Sequence, residues 1–243
     1  MDIHFNKIFS FLFTMLLANN AAANNWQLIK NEDGIQIATR PYADSAIKQF
    51  KASVRLNASL ATILAVLDDE NAFPHWVHQC SEAKILKTHS FAERYGYEKI
   101  NLPFPVKDRI IITHSILRQN PQTKAITITM NAAPQYCHKQ AQNSNPFCKQ
   151  INASTAIMVP KASGTYKLTP VANKNVVDLI WQQHSEAGGT LPKWLINALL
   201  SDTPYYSLQG LKRMVKQEKY KNAELIYDTN NRIIGFTPES KKW

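Results

Sequence analysis

Most of this chain is written in a period of two, and one long stretch near its C-terminus breaks that period. Alternating apolar and polar residues put every second side chain on the same face of an extended strand, so such runs fold as sheets with one face buried. The run Ile47-Lys48-Gln49-Phe50-Lys51-Ala52-Ser53-Val54-Arg55-Leu56 has this pattern and predicts a half-buried antiparallel strand. Ahead of it, Gln27-Leu28-Ile29 and the alternating Ile35, Ile37 and Thr39 flank the turn signal Asn31-Glu32-Asp33-Gly34, which reads as an opening hairpin. Further strands are expected over 83–86, 95–102, 109–117, 125–130, 153–159, 164–168 and 175–183, together one large meandering sheet. The period becomes helical at Leu60, Ile63, Leu64 and Leu67, with Asn57 or Ser59 as N-cap, and Phe73-Pro74-His75-Trp76-Val77 reads as a second brief helix or turn. The last long element is a helix opened by Pro192, with Trp194, Leu195, Ala198, Leu199, Leu208, Leu211 and Val215 on its apolar side and Pro204 expected to kink it.

Residues 1–23 stand apart from this pattern. Lys7 precedes an apolar run, and Ala21, Ala22 and Ala23 offer a cleavage site, as in a secretory signal peptide. The apolar run is about ten residues, half of the roughly 20 needed to cross a bilayer. The expectation is a periplasmic or secreted protein, cleaved near Ala23, with one domain over residues 24–220. Residues 221–243 would form an extension, with a small hairpin in LIYDTNNRIIGF and a disordered charged tail. The net charge of +10 suits anionic partners, lipid headgroups or nucleic acid, and export favours lipid over nucleic acid. In an oxidising compartment, Cys137 and Cys148 are expected to close the polar stretch between them as a disulfide, the alternative being two free thiols, with Cys80 left over, buried and inert.

The order and spacing of several segments resemble the START (steroidogenic acute regulatory protein-related lipid transfer) family in its bacterial exported form. They are Trp26 with Asp33-Gly34-Ile35, the stretch from Leu67-Asp68 through Trp76 and Cys80, the turn Pro103-Phe104-Pro105-Val106-Lys107-Asp108-Arg109, and Gly188-Gly189-Thr190-Leu191-Pro192. The resemblance implies an α+β helix-grip fold, a curved antiparallel β-sheet wrapped around a long C-terminal α-helix with an internal apolar cavity for one lipid or sterol. The animal members place a buried arginine on the strand after the proline-containing turn, where this chain runs Ile110-Ile111-Ile112-Thr113-His114-Ser115. Their charged cavity pair and their ligand therefore do not carry over.

Candidate cavity residues are Trp76, Tyr97, Arg109, Tyr166, Trp181, Trp194, Leu195 and Leu199, although core packing would equally explain any one of the aromatics. Asp108-Arg109 could orient a headgroup, but a brace for the turn is the stronger reading, since a charge tolerates burial only when paired. Gly188 and Gly189 are either a hinge that lets the last helix lift as a gate or a tight turn before it. Lys212, Arg213, Lys216 and Lys219 form a basic side of that helix, a solvated face or a transient docking surface for an anionic membrane. His75, His78 and Cys80 have the look of a metal cluster or a nucleophile with its base, yet lack a further ligand or an orienting acid beside them, so no metal and no cofactor is expected. The leading expectation is a noncatalytic, monomeric lipid carrier. The alternative is a helix-grip enzyme, a cyclase or hydrolase, for which His114, Glu98 and Asp108 are the loose acid–base candidates.

Overall fold

The computed structural model describes residues 25–137 and 145–243. The expected signal segment, residues 1–23, and most of the polar stretch before Cys148 lie outside the described residues.

Alternation builds the sheet where it was expected. Strands β1 (Gln27–Glu32), β2 (Ile35–Tyr42) and β3 (Ser45–Leu56) form the opening meander, with Asp33 and Gly34 at positive φ in the first turn. Helix α1 (Leu60–Asp68) starts at Ser59, whose hydroxyl accepts the Thr62 N–H at 3.0 Å, an N-cap of the expected kind. A short 3₁₀ turn and α2 (Phe73–Trp76) lead to β4 (Cys80–Ser90), β5 (Glu93–Ile100), β6 (Arg109–Gln119) and β7 (Ile126–Ala132). After α3 (Pro146–Asn152) come β8 (Ile157–Met158), β9 (Lys161–Pro170) and β10 (Val177–Glu186), then α4 (Lys193–Met214), α5 (Glu218–Lys221) and the hairpin β11 (Leu225–Tyr227) and β12 (Ile233–Phe236).

Among the described residues ten strands form one sheet in the order β1-β2-β3-β10-β9-β7-β6-β5-β4, with β8 beside β6 in parallel. It is not the simple meander expected. The helical segment after β3 carries the chain to the far edge of the sheet, and β10 returns to pair with β3, Gln183 opposite Phe50 and Val177 opposite Leu56. The strand expected over 153–159 shrinks to Ile157–Met158, because the N–H groups of Ala153 and Ser154 are taken by the Lys149 and Ile151 carbonyls at the end of α3, a helix capped by Asn145, whose side chain accepts the Cys148 N–H at 3.0 Å.

The inner face of the sheet packs on α1 and α4 through a core that includes Ile35, Ile37, Ile63, Leu168, Leu179, Leu208 and Leu211. A second cluster lies under α3 and holds Tyr97, Ile110, Ile112 and Ile151 around Cys137 and Cys148, which form the expected disulfide. Helix α4 runs unbroken through Pro204, and Pro192 is its cap. The charged tail, expected to be disordered, instead packs on the body. Trp243 lies edge-on to Phe236 at 4.9 Å, and its indole N–H donates to Asp68 at 3.2 Å, because an aromatic end can bury itself where a purely charged one would stay in water.

Candidate functional site

A cavity of about 270 Å³ lies between the inner face of the sheet and α4. Its walls follow the two periods of the sequence. Gly96, Glu98 and Ile100 of β5, Ile111, Thr113 and Ser115 of β6, and Trp181, Gln183 and Ser185 of β10 enter at alternate positions, while Ile196, Leu199, Leu200 and Thr203 of α4 enter at helical spacing. Leu64, Leu67, Phe73 and Trp76 close it from α1 and α2.

Of the expected cavity residues, Trp76, Arg109, Tyr166, Trp181 and Leu199 border this space together. Tyr97 touches the wall, but its ring is committed to the second cluster, edge-on to Phe147 at 5.1 Å, with its hydroxyl donating to Glu82 at 3.4 Å. Trp194 and Leu195 do not take part. Trp194 is 60% exposed and Leu195 is buried in packing beside the cavity, since the face of α4 that meets the sheet is the one carrying Ile196 and Leu199. Trp181 donates its indole N–H to the Gln183 side chain at 3.1 Å, which satisfies a polar atom in the wall.

Arg109 is 3% exposed, and among the described residues no carboxylate pairs with its guanidinium. It donates instead to the carbonyls of Ala187 at 2.7 Å and Gly188 at 2.9 Å, and to that of Lys107. Burial pushes its pKa down, with the charge of Asp108 opposing. Asp108 itself faces Lys99 at 3.3 Å and accepts the Leu102 N–H at 3.2 Å. The pair is therefore a brace, tying the 103–108 turn to the segment between β10 and α4. Gly188 and Gly189 sit at φ +69° and +64° in that segment, a conformation favouring glycine, with Ile157 only 3.1 Å from where either Cβ would stand.

Glu98 is different. The surface it keeps borders the cavity, burial pushes its carboxyl up to about 7, and among the described residues it has no hydrogen bond or ion pair. The other two acid–base candidates lie away from it. His114 bonds Glu93 at 2.8 Å and stacks on Tyr95 at 4.5 Å, and Asp108 serves the turn.

His75, His78 and Cys80 do not converge, and among the described residues no group of three or more side chains is placed to hold a metal ion. Burial lowers the pKa of His78, whose ring leans on Tyr206 at 5.0 Å, and burial raises that of Cys80 to about 12, so this thiol stays protonated. The basic side expected on the last helix is divided, because α4 ends at Met214: Lys212 and Arg213 lie on α4, Lys216 follows it and Lys219 is on α5, with Lys212 donating to the Asp33 carbonyl at 2.7 Å and Lys219 to Asp69 at 2.8 Å, leaving Arg213 and Lys216 exposed. A feature missed in the sequence is Phe104, 97% exposed at the tip of the braced turn. Its flanking prolines were the signal, for they hold an apolar residue in a turn with no strand to bury it.

The family model for the START domain matches residues 14–221. An uncharacterised protein of Pseudomonas aeruginosa is 30% identical over 196 residues, covering 81% of this chain and 89% of that protein. A crystal structure of a STAR-related lipid transfer protein from Xanthomonas axonopodis is 30% identical, with a TM-score of 0.67 over 79% of this chain and 99% of that one. Human StAR-related lipid transfer protein 5 shares the fold at 10% identity, with a TM-score of 0.64 over 80% of this chain and 88% of its own. With its helix-grip architecture and a family match across nearly the whole of the described body, this chain belongs to the START domain family.

Proposed function

We propose that the protein is a noncatalytic carrier that shelters one lipid or sterol-like molecule in the cavity between the sheet and α4. The observation that carries this reading is the wall itself: aromatic and aliphatic side chains from strands and helices enclose about 270 Å³, close to the lower end of the usual range for small-molecule sites of roughly 300–1,000 Å³. That space suits an acyl chain or a compact ring system, and a larger ligand requires α4 to lift about the Gly188-Gly189 turn. The Xanthomonas relative is a STAR-related lipid transfer protein, which points the same way. The enzyme reading would begin from Glu98, and the separation of His114 and Asp108 from it favours carriage.

For docking, the rim is better suited than the basic side of α4. Phe104 and Trp194, at 97% and 60% exposure, each lie a short step along the chain from the cavity residues Leu102 and Leu191, and aromatic side chains settle at the headgroup level of a bilayer. We place the carrier outside the cytoplasm, as a monomer released after cleavage near Ala23. The Cys137–Cys148 disulfide suits an oxidising compartment, and among the described residues no helix is long and apolar enough to cross a membrane.

Native mass spectrometry of the protein purified from its own source, followed by organic extraction, tests the reading. A stoichiometric lipid or sterol is expected. A protein that arrives empty and takes up nothing from a mixed lipid extract would overturn it.

A further inference from the structure

An apolar container has no use for Glu98. The register sets its carboxyl between Ala83 on β4 and Ile111 on β6, both apolar residues of the cavity wall. The cations that border the cavity are committed elsewhere. Arg109 is held by backbone carbonyls, Arg94 bonds Asp68 at 2.9 Å and the Leu67 carbonyl at 2.7 Å, and Lys84 meets Glu82 at 3.0 Å. Lys48 is exposed at the rim. A carboxylate inside such a wall is costly without a counter-charge, and among the described residues none is aimed at it. Two π faces stand in the same wall: Tyr166 and Trp181, with ring centroids 5.2 Å apart. Burial first and the charge of Glu98 second raise the pKa of the Tyr166 hydroxyl. A cavity wall that carries both an unpaired carboxylate and aromatic faces is complementary to an organic cation.

We propose that the ligand carries a protonated amine, which pairs with Glu98 while its hydrocarbon portion fills the apolar wall. This rests on the carrier reading and narrows its ligand to a cationic amphiphile. A neutral hydroxyl would satisfy one oxygen and leave the charge uncompensated, whereas an ammonium supplies both donor and charge. Pairing requires the ionised carboxylate, so the amine's advantage must fall with pH. Among the described residues, the other titratable groups facing this region are Cys80 of β4, Tyr97 of β5 and Tyr166 of β9, all held protonated and neutral by burial, with His78 before β4 and Asp68 and Glu70 towards the α1 end. All of them persist in a Glu98→Gln variant.

The test compares decylamine with decanol by calorimetry on the whole protein, wild type and Glu98→Gln, at pH 8 and pH 5. Wild type is expected to bind decylamine about tenfold or more tightly than decanol at pH 8, with the advantage shrinking at pH 5. In Glu98→Gln the two ligands should bind alike, and retained decanol binding shows that the variant is folded. Equal affinities in wild type, or an amine preference that survives in Glu98→Gln, would overturn the inference while leaving the carrier reading intact. If wild type binds neither ligand and also takes up nothing from a mixed lipid extract, the carrier reading falls and this inference with it.

Discussion

A carboxyl that prefers its proton makes folding depend on pH, and Glu98 sets the sign. Burial raises it from an ordinary 4.5 to about 7, so the folded state holds the proton more tightly than the unfolded chain. Its contribution is favourable below about pH 4.5 and is lost as the pH rises through about 7. A shift of about 2.5 units corresponds to about 3 kcal/mol as an upper bound. Glu98→Gln removes the titration, so its stability relative to wild type should rise by up to about 3 kcal/mol between pH 4.5 and pH 8. Urea denaturation of both proteins at the two pH values measures this. A difference that stays constant with pH would mean that the ionised carboxylate is compensated after all. None of this is readable from β5 alone, where Arg94, Gly96 and Glu98 look like the outward face and Tyr95 and Tyr97 like the core. The assignment reverses because α3 and the Cys137–Cys148 disulfide cover the other side of the sheet and give Tyr97 a second, separate core to join.

Among the elements, α4 is fixed by one close approach. Gly210 faces the backbone of Trp76, and a Cβ there would stand 2.5 Å from the Trp76 carbonyl oxygen and 2.8 Å from its Cα. Backbone atoms cannot rotate aside, so α2 and α4 would have to separate. Gly210→Ala should therefore destabilise by about 2 kcal/mol or more, overpacking outweighing the roughly 1 kcal/mol by which alanine favours a helix. Thermal unfolding checks it, and an unchanged or raised midpoint would show that the two helices are free to part. The existence of these elements was legible because helical and strand periods are local: Asn57 or Ser59 announces α1, and the alternation over 47–56 announces β3. Their arrangement was less so. The pairing of β3 with β10 joins residues far apart in the chain, and no local signal distinguishes it from a simple meander. The phase of α4 failed for a related reason, since Trp194, Leu195, Ile196, Leu199 and Leu200 offer two overlapping apolar faces, and only the sheet decides which one borders the cavity. At Asp108-Arg109 the sequence pointed to a pair bracing the turn, because a charge tolerates burial only when paired; in the structure the two residues tie the turn separately, Arg109 through the Ala187 and Gly188 carbonyls and Asp108 through Lys99.

At the level of the whole molecule, the helix-grip body is completed by a segment that the family match does not reach, for that match ends at residue 221. The extension folds back on the α1 end of the cavity. Phe236 packs edge-on against Phe91 at 5.4 Å, Lys241 meets Asp68 at 2.9 Å, and Trp243 stacks obliquely on Tyr220 at 5.9 Å, while Tyr220 donates its hydroxyl to buried Asp69 at 2.8 Å. Phe91, Asp68 and Arg94 all border the cavity, so the extension holds residues of its wall as well as the last helices. Truncation after Lys221 removes Phe236, Lys241 and Trp243 but leaves the sheet, α4 and the Arg94–Asp68 pair. The shortened protein should fold, with the loss of Ile233 and Phe236 from the core and of Leu225 and Trp243 packed against it lowering its melting temperature by about 10 °C or more. It should also release a fluorescent fatty alcohol several-fold faster in a stopped-flow experiment, because Phe91 and the end of α1 lose the layer behind them. A lower melting temperature with an unchanged release rate would separate the two roles, making the extension a clamp on the fold and assigning ligand exit to the opposite rim, where Arg109 ties the Phe104 turn to the base of α4.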